Sequence, residues 1–290
     1  MIQWLLNGIN DAGLILVELF AGFGLFWLGQ LAYKKLFRRI NLNVELFFKD
    51  NPAVAIALVG YYLGIAIAIG GVLGHGAISA PEKILNLIGY GLMAIVLMLI
   101  GAQVGDRFIL RRCDTAREIV EERNLGAAFV EAGTHIANGL VLNAALAGDS
   151  GGWLVGLACW LIGLAVLILV TAVYPLVTTY DVFGEIEHRN NPAAGVALAG
   201  LLIGTGNIIR VSFGADFVDW IPSFAQYGFT LLFCLGSLVL IRWLADLILV
   251  PGVKISDEIV HQDVPNVGAG LIEAFAYIAA SLLISWAVGY

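Results

Sequence analysis

The chain has 290 residues, of which 60% are hydrophobic and only 13% are charged. A soluble domain is about 45–50% apolar and about 25% charged, so this composition excludes an ordinary soluble protein. The formal net charge of −7 does not identify a partner, because charge in a membrane protein matters separately on each side of the bilayer.

Hydrophobic residues are concentrated in blocks that short polar stretches separate. A bilayer core of about 30 Å requires roughly 20 apolar residues in a helix, and a helix satisfies its own backbone hydrogen bonds in lipid. We therefore predict an all-α membrane protein with eight transmembrane helices. In chain order they cover approximately residues 12–34, 52–74, 84–105, 124–147, 153–176, 191–213, 223–249 and 266–289.

The first predicted helix contains Glu18 in its outer part and follows a start, Met1 to Asp11, that carries no Lys or Arg. A removable signal peptide has a basic start and a small-residue cleavage site, so none is expected here. Of the 15 Lys and Arg residues, only Lys83 and Arg210 lie outside the odd-numbered connections. The positive-inside rule then places those connections in the cytoplasm and predicts that both termini are periplasmic.

The second predicted helix begins with Asn51-Pro52. Asn is a favourable N-cap, and Pro suits the first helical position, where its missing N–H costs nothing. The positive dipole ends of such helices are compatible with an anion-binding surface, although ordinary capping explains the pattern as well. We expect the four even-numbered helices to begin at the cytoplasmic face with Asn51, Asn124, Asn191 and Asn266.

The fourth predicted helix carries a stripe of polar side chains. Glu131 lies about seven residues after the helix start, which is roughly 10 Å into the membrane. His135 and Asn138 follow at helical spacing, so all three side chains share one face of the helix. A carboxylate inside a membrane costs at least about 2.5–3.5 kcal/mol, so such a residue usually faces protein or water.

The eighth predicted helix repeats the carboxylate as Glu273 and has Tyr277 at the position of His135. If the fourth and eighth helices line a common axis, Glu131 and Glu273 face each other and share a proton or hold a cation. The alternative is that each Glu is a protonated residue that bonds one helix to another, or that it lies close enough to the interface to stay in water.

The second half of the chain repeats the first half in the same order. Because each unit has an even number of helices, we predict two parallel four-helix repeats, at residues 1–150 and 151–290. The small-x-x-x-small glycine pairs are expected to pack repeat against repeat or subunit against subunit. The matched segments are 51–53 with 191–193, Gly60 and Gly64 with Gly200 and Gly204, Asp106 with Asp246, 118–120 with 258–260, and 124–132 with 266–274.

The Asn-Pro-Ala-x-Ala…Gly-x-x-x-Gly helix and the later Asn-x-Gly-Ala-Ala…Glu-Ala helix resemble the bacterial family called domain of unknown function 350, or YjfL-like, in two tandem copies. The resemblance implies a multi-pass protein of the bacterial inner (cell) membrane and brings no established activity. The resemblance also implies that relatives often lie beside genes for stress-related membrane-remodelling and polyamine-ligase-like proteins, which is an association only.

Two classes of function follow from these observations. The first is a channel or transporter for protons or small cations, which predicts a shared aqueous cavity at Glu131 and Glu273. The second is a non-transporting membrane scaffold that recruits partners in envelope stress, which predicts a tightly packed interior. The residues of the candidate ion or proton route are Glu18, Glu131, His135, Asn138, Glu273 and Tyr277.

Enzyme motifs are missing from the sequence, which has no P-loop, no Gly-x-Ser-x-Gly elbow and no His-Glu-x-x-His. No Cys/His cluster has zinc spacing either. We therefore expect no enzyme activity, no cofactor, no metal and no nucleic-acid partner. Membrane lipids are the expected surroundings, a proton or small cation is the expected substrate, and the small-residue faces leave a homo-oligomer open.

Overall fold

The computed structural model describes residues 2–36, 41–73, 80–110, 114–147, 151–249 and 252–289. Side chains are described in these ranges except at residues 2–11, 80, 242, 245 and 246. Some of the basic residues that contribute to the predicted orientation lie outside the described residues, as does the predicted repeat boundary at residue 150. These basic residues are Arg38, Arg39, Arg111 and Arg112.

In the described chain, eight helices are long and apolar enough to cross a membrane, which confirms the predicted all-α membrane fold. The candidate spans agree with the predicted ranges to within a few residues at most ends. The eight helices are α1 (Ile2–Leu36), α3 (Pro52–Leu73), α4 (Ala80–Phe108), α5 (Leu125–Ala145), α6 (Gly152–Val177), α8 (Pro192–Ser212), α9 (Trp220–Ile248) and α11 (Val267–Val288).

Short helical segments precede the four even-numbered spans. They are α2 (Leu42–Phe47), a π-helical segment (Arg117–Glu121), α7 (Val182–His188) and α10 (Ile255–Val260). The order of long helix, short segment and long helix therefore occurs four times in the described residues. Each occurrence is a hairpin whose second long helix begins at Asn51, Asn124, Asn191 or Asn266. These four residues define the N-cap face of the protein.

The second helices of the four hairpins form a central row in the order α3, α5, α8 and α11. Neighbours in this row make the most extensive interhelical contacts in the described structure, and α8 is almost completely buried. The first helices α1, α4, α6 and α9 flank the row and expose many apolar side chains, such as Phe20 and Phe229. An apolar exterior around a packed row is the arrangement of a multi-pass membrane protein.

Glycine permits the close approach of the central helices. Gly60 lies against the backbone of Ala132 within the first repeat, and Gly200 lies against the backbone of Ala274 within the second. The expectation that these motifs pack repeat against repeat is therefore wrong for this chain. A different glycine, Gly133, lies at the junction of the repeats, where an added Cβ would approach Ala199 Cα to 2.7 Å.

The two repeats differ in how their flanking helices pack. In the first repeat α1 packs directly against α4, whereas α6 and α9 of the second repeat make no comparable contact with each other. Both α6 and α9 instead pack against α8 of the central row. A wide space therefore remains between α6 and α9.

Candidate functional site

Buried asparagines connect neighbouring hairpins at the N-cap face. The Oδ1 of Asn51 accepts a 3.1 Å hydrogen bond from the N–H of Ala53, as an N-cap does. Its amide Nδ2 donates to the Ile119 carbonyl of the next hairpin, at 3.1 Å, and to Glu45 of its own hairpin, at 3.4 Å. The side chain thus satisfies backbone groups of two hairpins.

The same arrangement recurs along the row. The amide of Asn124 donates to Glu118 at 2.8 Å and to the Ile186 carbonyl at 2.7 Å. Asn191 in turn donates to a Glu of its own hairpin and to the Ile259 carbonyl of the last hairpin, each at 2.9 Å. These asparagines therefore have a structural role, and hydrogen bonds within the protein already use their polar groups.

Glu131 lies in a polar cluster near the N-cap face, and only 6% of its surface is exposed. Its Oε1 is 3.3 Å from His135 Nε2, and it shares a hydrogen bond with Tyr33 of α1. Asp106 of α4 lies within electrostatic range of both Glu131 and His135. A cavity of about 60 Å³ adjoins Tyr33, Asp106, Thr115 and Glu131, which is room enough for ordered water.

His135 is almost completely buried and is held between aromatic rings. The ring centroids of Tyr61 and Tyr33 lie 5.5 Å and 6.2 Å from the imidazole centroid, both edge to face. The imidazole Nδ1 has no hydrogen-bond partner among the described residues. A buried ring nitrogen without a partner is costly, so His135 Nδ1 is a polar group of the cluster whose hydrogen-bonding capacity the described residues leave unused.

Glu273 has separate partners in the second repeat. It is 1% exposed, and its Oε1 accepts a 2.9 Å hydrogen bond from the hydroxyl of Tyr174. Tyr33 and Tyr174 each lie three residues before the end of the first helix of their repeat. The same tyrosine–glutamate pair therefore occurs in both repeats, but Tyr277 replaces the histidine in the second.

The two carboxylates do not share a cavity. Helix α5 carries Glu131 and helix α11 carries Glu273. Both helices pack against α8, which lies between them in the row. The expectation that Glu131 and Glu273 face each other across an axis is therefore wrong. It failed because the central helices form a row instead of surrounding a common axis.

Asn138 lies one turn beyond His135 and contacts protein on both sides. Its amide donates to Met98 Sδ at 3.3 Å, and its Oδ1 accepts a 2.9 Å bond from the indole of Trp160. Because Trp160 belongs to α6, this bond joins the two repeats. The contacts of Asn138 are thus those of a residue that holds helices together.

Glu18 lies far from the polar cluster. It forms a 2.8 Å ion pair with Lys83 at the end of the bundle opposite the N-cap face. At 1.5 Å per residue, Glu18 is roughly 22 Å along α1 from Tyr33. The six predicted route residues therefore do not form one continuous path, and among them the structure brings the side chains of Glu131 and His135 into contact.

Sequence reasoning did not identify Tyr33, Tyr61, Asp106 and Tyr174 as site residues. The two glutamate-binding tyrosines had a detectable signal, because they occupy equivalent positions in the two repeats. Asp106 was matched between the repeats but not assigned to a site. Within the described residues, no group of three or more His, Cys, Asp and Glu side chains is arranged to hold a metal ion.

Comparison with known proteins supports the division into repeats. A family model, Domain of Unknown Function (DUF350), matches residues 4–146 and again residues 150–288. Searches among curated proteins and among solved structures found no match. Because the two matches together cover nearly the whole chain, this multi-pass membrane protein belongs to the DUF350 family and contains two tandem copies of its domain.

Proposed function

We propose that this protein is a proton-coupled transporter for a small cation, and that Glu131, His135 and Asp106 form its proton-binding site. The observation that carries the proposal is the position of two carboxylates, Asp106 and Glu131, at one small cavity inside a membrane bundle, with the imidazole Nε2 of His135 3.3 Å from Glu131 Oε1. Like charges in a low-dielectric setting repel each other, so this cluster favours binding a proton or a cation.

The orientation of the bundle supports an inward-facing site. Most Lys and Arg residues belong to the connections at the N-cap face, so we place this face in the bacterial cytoplasm and both termini in the periplasm. The Glu131 cavity then lies close to the cytoplasm, and the ion pair of Glu18 with Lys83 lies near the periplasm. A proton from the cytoplasmic side would reach Glu131 after a short distance.

The interior is tightly packed, as the scaffold hypothesis predicts, so an open channel does not fit and a transporter must work through movement of its helices. Central helices are in close contact along the row, and Gly64 lies directly against the His135 backbone. Passage beyond His135 therefore requires helices to move, as in alternating access. The Tyr33 and Tyr61 rings beside His135 are the groups whose displacement would open such a path.

Proton flux into liposomes that contain the purified protein and a pH-sensitive dye tests the proposal. Gradients of sodium, potassium, magnesium and spermidine would be applied in turn with a pH gradient. We expect a cation gradient to drive proton movement in the wild-type protein. Flux should fall to the level of empty liposomes in Glu131→Gln.

Two further variants separate the role of the proposed proton site from a general effect of removing a carboxylate. Glu185→Gln removes a carboxylate at the N-cap face outside the spans and is the matched control, which should retain flux. His135→Tyr gives the first repeat the residue found at the equivalent position of the second, Tyr277, and should lower flux strongly. Equal flux in the wild type and Glu131→Gln, with both proteins folded, would rule out the proposed proton site.

A non-transporting scaffold is the second candidate, and a specific surface favours it. Phe47 and Phe48 at the end of α2 are 74% and 82% exposed at the N-cap face. Exposed aromatic side chains at this position suit either the membrane interface or a protein partner. If no gradient produces flux, capture of an envelope-stress partner that depends on Phe47 and Phe48 becomes the decisive measurement.

A further inference from the structure

The space between α6 and α9 is a cleft of about 1100 Å³, which we call the second-repeat cleft. Residues of α6, α8, α9 and α11 line it, together with the segment that includes α10. This volume is at or above the upper end of the range of about 300–1,000 Å³ that is typical of small-molecule sites. At the corresponding position of the described first repeat, α1 packs directly against α4.

The walls of the cleft are apolar and open toward lipid. Leu169 and Val173 of α6 face the cleft from one side, and Leu235 and Val239 of α9 face it from the other. Leu169 is 62% exposed and Val239 is 64% exposed. Because α6 and α9 flank the central row, an opening between them faces the hydrocarbon of the bilayer.

The depth of the cleft corresponds to one leaflet. Its lining residues on α9 extend from Leu235 to Leu247. These positions are separated by roughly 18 Å of helix at 1.5 Å per residue. Half of a hydrocarbon core of about 30 Å is about 15 Å. An acyl chain of the adjacent leaflet therefore has the length to fill the cleft.

The rim at the N-cap face carries both signs of charge. Lys254, Asp257 and His261 line the end of the cleft, with Ser256 beside them. His261 Nδ1 lies 3.3 Å from Asp257 Oδ1. An ammonium beside a carboxylate complements a head group that contains a phosphate and an amine. Basic pockets between membrane helices bind the phosphates of lipid head groups, and Asp257 adds a carboxylate for an amine to this rim.

We propose that the second-repeat cleft binds one membrane phospholipid with a zwitterionic phosphate–amine head group. Lys254 and His261 hold the phosphate, Asp257 holds the ammonium, and the acyl chains lie between α6 and α9. The hydroxyl of Tyr174 bonds to Glu273 while its side chain lines the cleft, so the lipid lies next to the buried carboxylate of the second repeat. This proposal does not depend on proton transport.

The test uses the full chain in nanodiscs that contain equal amounts of phosphatidylethanolamine and phosphatidylglycerol. Each lipid in turn carries a photoactivatable acyl chain, and cross-linked peptides are identified by mass spectrometry. We expect phosphatidylethanolamine to label the α6 and α9 residues that line the cleft. Val239→Trp fills the space and should lower this labelling by about tenfold, the change that follows from losing about 1.4 kcal/mol of binding free energy.

Leu232→Trp is the matched control, since Leu232 is on the same helix, is 73% exposed and does not line the cleft. It should label like the wild type. Asp257→Asn and Lys254→Gln alter only the rim and should reduce the preference for phosphatidylethanolamine without loss of folding. Equal labelling in Val239→Trp and Leu232→Trp, or a preference for phosphatidylglycerol in the wild type, would overturn the proposal.

Discussion

The hydroxyl of Tyr174 donates a 2.9 Å hydrogen bond to Glu273 Oε1, and the pair joins the first and last helices of the second repeat. Tyr33 and Glu131 make the equivalent bond in the first repeat. Both glutamates are buried within membrane spans, where a polar group without a partner is expensive. In each repeat, the buried glutamate therefore requires the tyrosine as its hydrogen-bond donor.

Tyr174→Phe removes the hydroxyl and leaves the volume of the ring unchanged. We expect a loss of about 1–3 kcal/mol in the free energy of unfolding, because Glu273 loses a buried hydrogen-bond donor. Unfolding of the detergent-solubilised protein by a denaturing surfactant would measure this loss. Tyr62→Phe is the control, since its hydroxyl bonds to the partly buried Gln30, and it should have a smaller effect. An unchanged stability in Tyr174→Phe would contradict the structural role.

Gly133→Ala places a methyl group at the junction between the repeats. The added Cβ would lie 2.7 Å from Ala199 Cα and 3.0 Å from its carbonyl oxygen, so α5 and α8 must move apart. Overpacking of this kind costs about 1–3 kcal/mol. Gly228→Ala is the matched control, because nothing lies within 4 Å of its added Cβ and Ala favours the helix by about 0.5–1 kcal/mol. Thermal unfolding of the two variants should therefore shift in opposite directions.

Asn191→Ala should destabilise the protein more than Asn266→Ala. Each loses an N-cap, which is worth about 0.5–2 kcal/mol. Asn191 additionally loses its bond to the Ile259 carbonyl of the next hairpin, whereas the amide of Asn266 donates to Glu258 of its own hairpin. The difference between the two melting temperatures reports the bond between hairpins together with the complete burial of Asn191. Equal losses would show that this bond adds nothing to stability.

Acid should weaken the contact between α2 and the start of α3. The hydrogen bond from the Lys49 ammonium, at 2.6 Å, lowers the pKa of Glu45. The unfolded-state pKa of a Glu is about 4.3, so the stability that this pair contributes is present above that value. It is lost as the pH falls through the lower pKa of the folded state. Glu45→Gln should remove this part of the pH dependence when unfolding is followed from about pH 6 to about pH 3.

The sequence predicts the helices of this fold well because the length and the start of each helix depend on residues within that helix or next to it. Long apolar blocks mark the spans, and the Asn residues at 51, 124, 191 and 266 mark where the central helices begin. The tandem repeat is also visible, because Glu131 and Glu273 occur in matching contexts. The first two signals lie within one segment of the chain, and the repeat is found by comparing two segments of the same sequence.

The arrangement of the helices was not predictable in the same way. The tandem repeat led to the hypothesis that Glu131 and Glu273 face each other if their helices line a common axis, but α8 lies between these helices. Which glycine faces which helix depends on the rotation of each helix about its own axis. The spacing of the glycines in the sequence does not reveal this rotation. The open space between α6 and α9 likewise depends on the packing of whole helices.

The hydrogen bonds from cap to carbonyl have a consequence for assembly during synthesis. Asn51 donates to a backbone carbonyl 68 residues later in the chain, and Asn191 does so over the same separation. Each of the first three hairpins therefore has a cap amide without its carbonyl partner until the following hairpin enters the membrane. Because the chain is made from its N-terminus, these hydrogen bonds between hairpins form in the order in which the hairpins are synthesised.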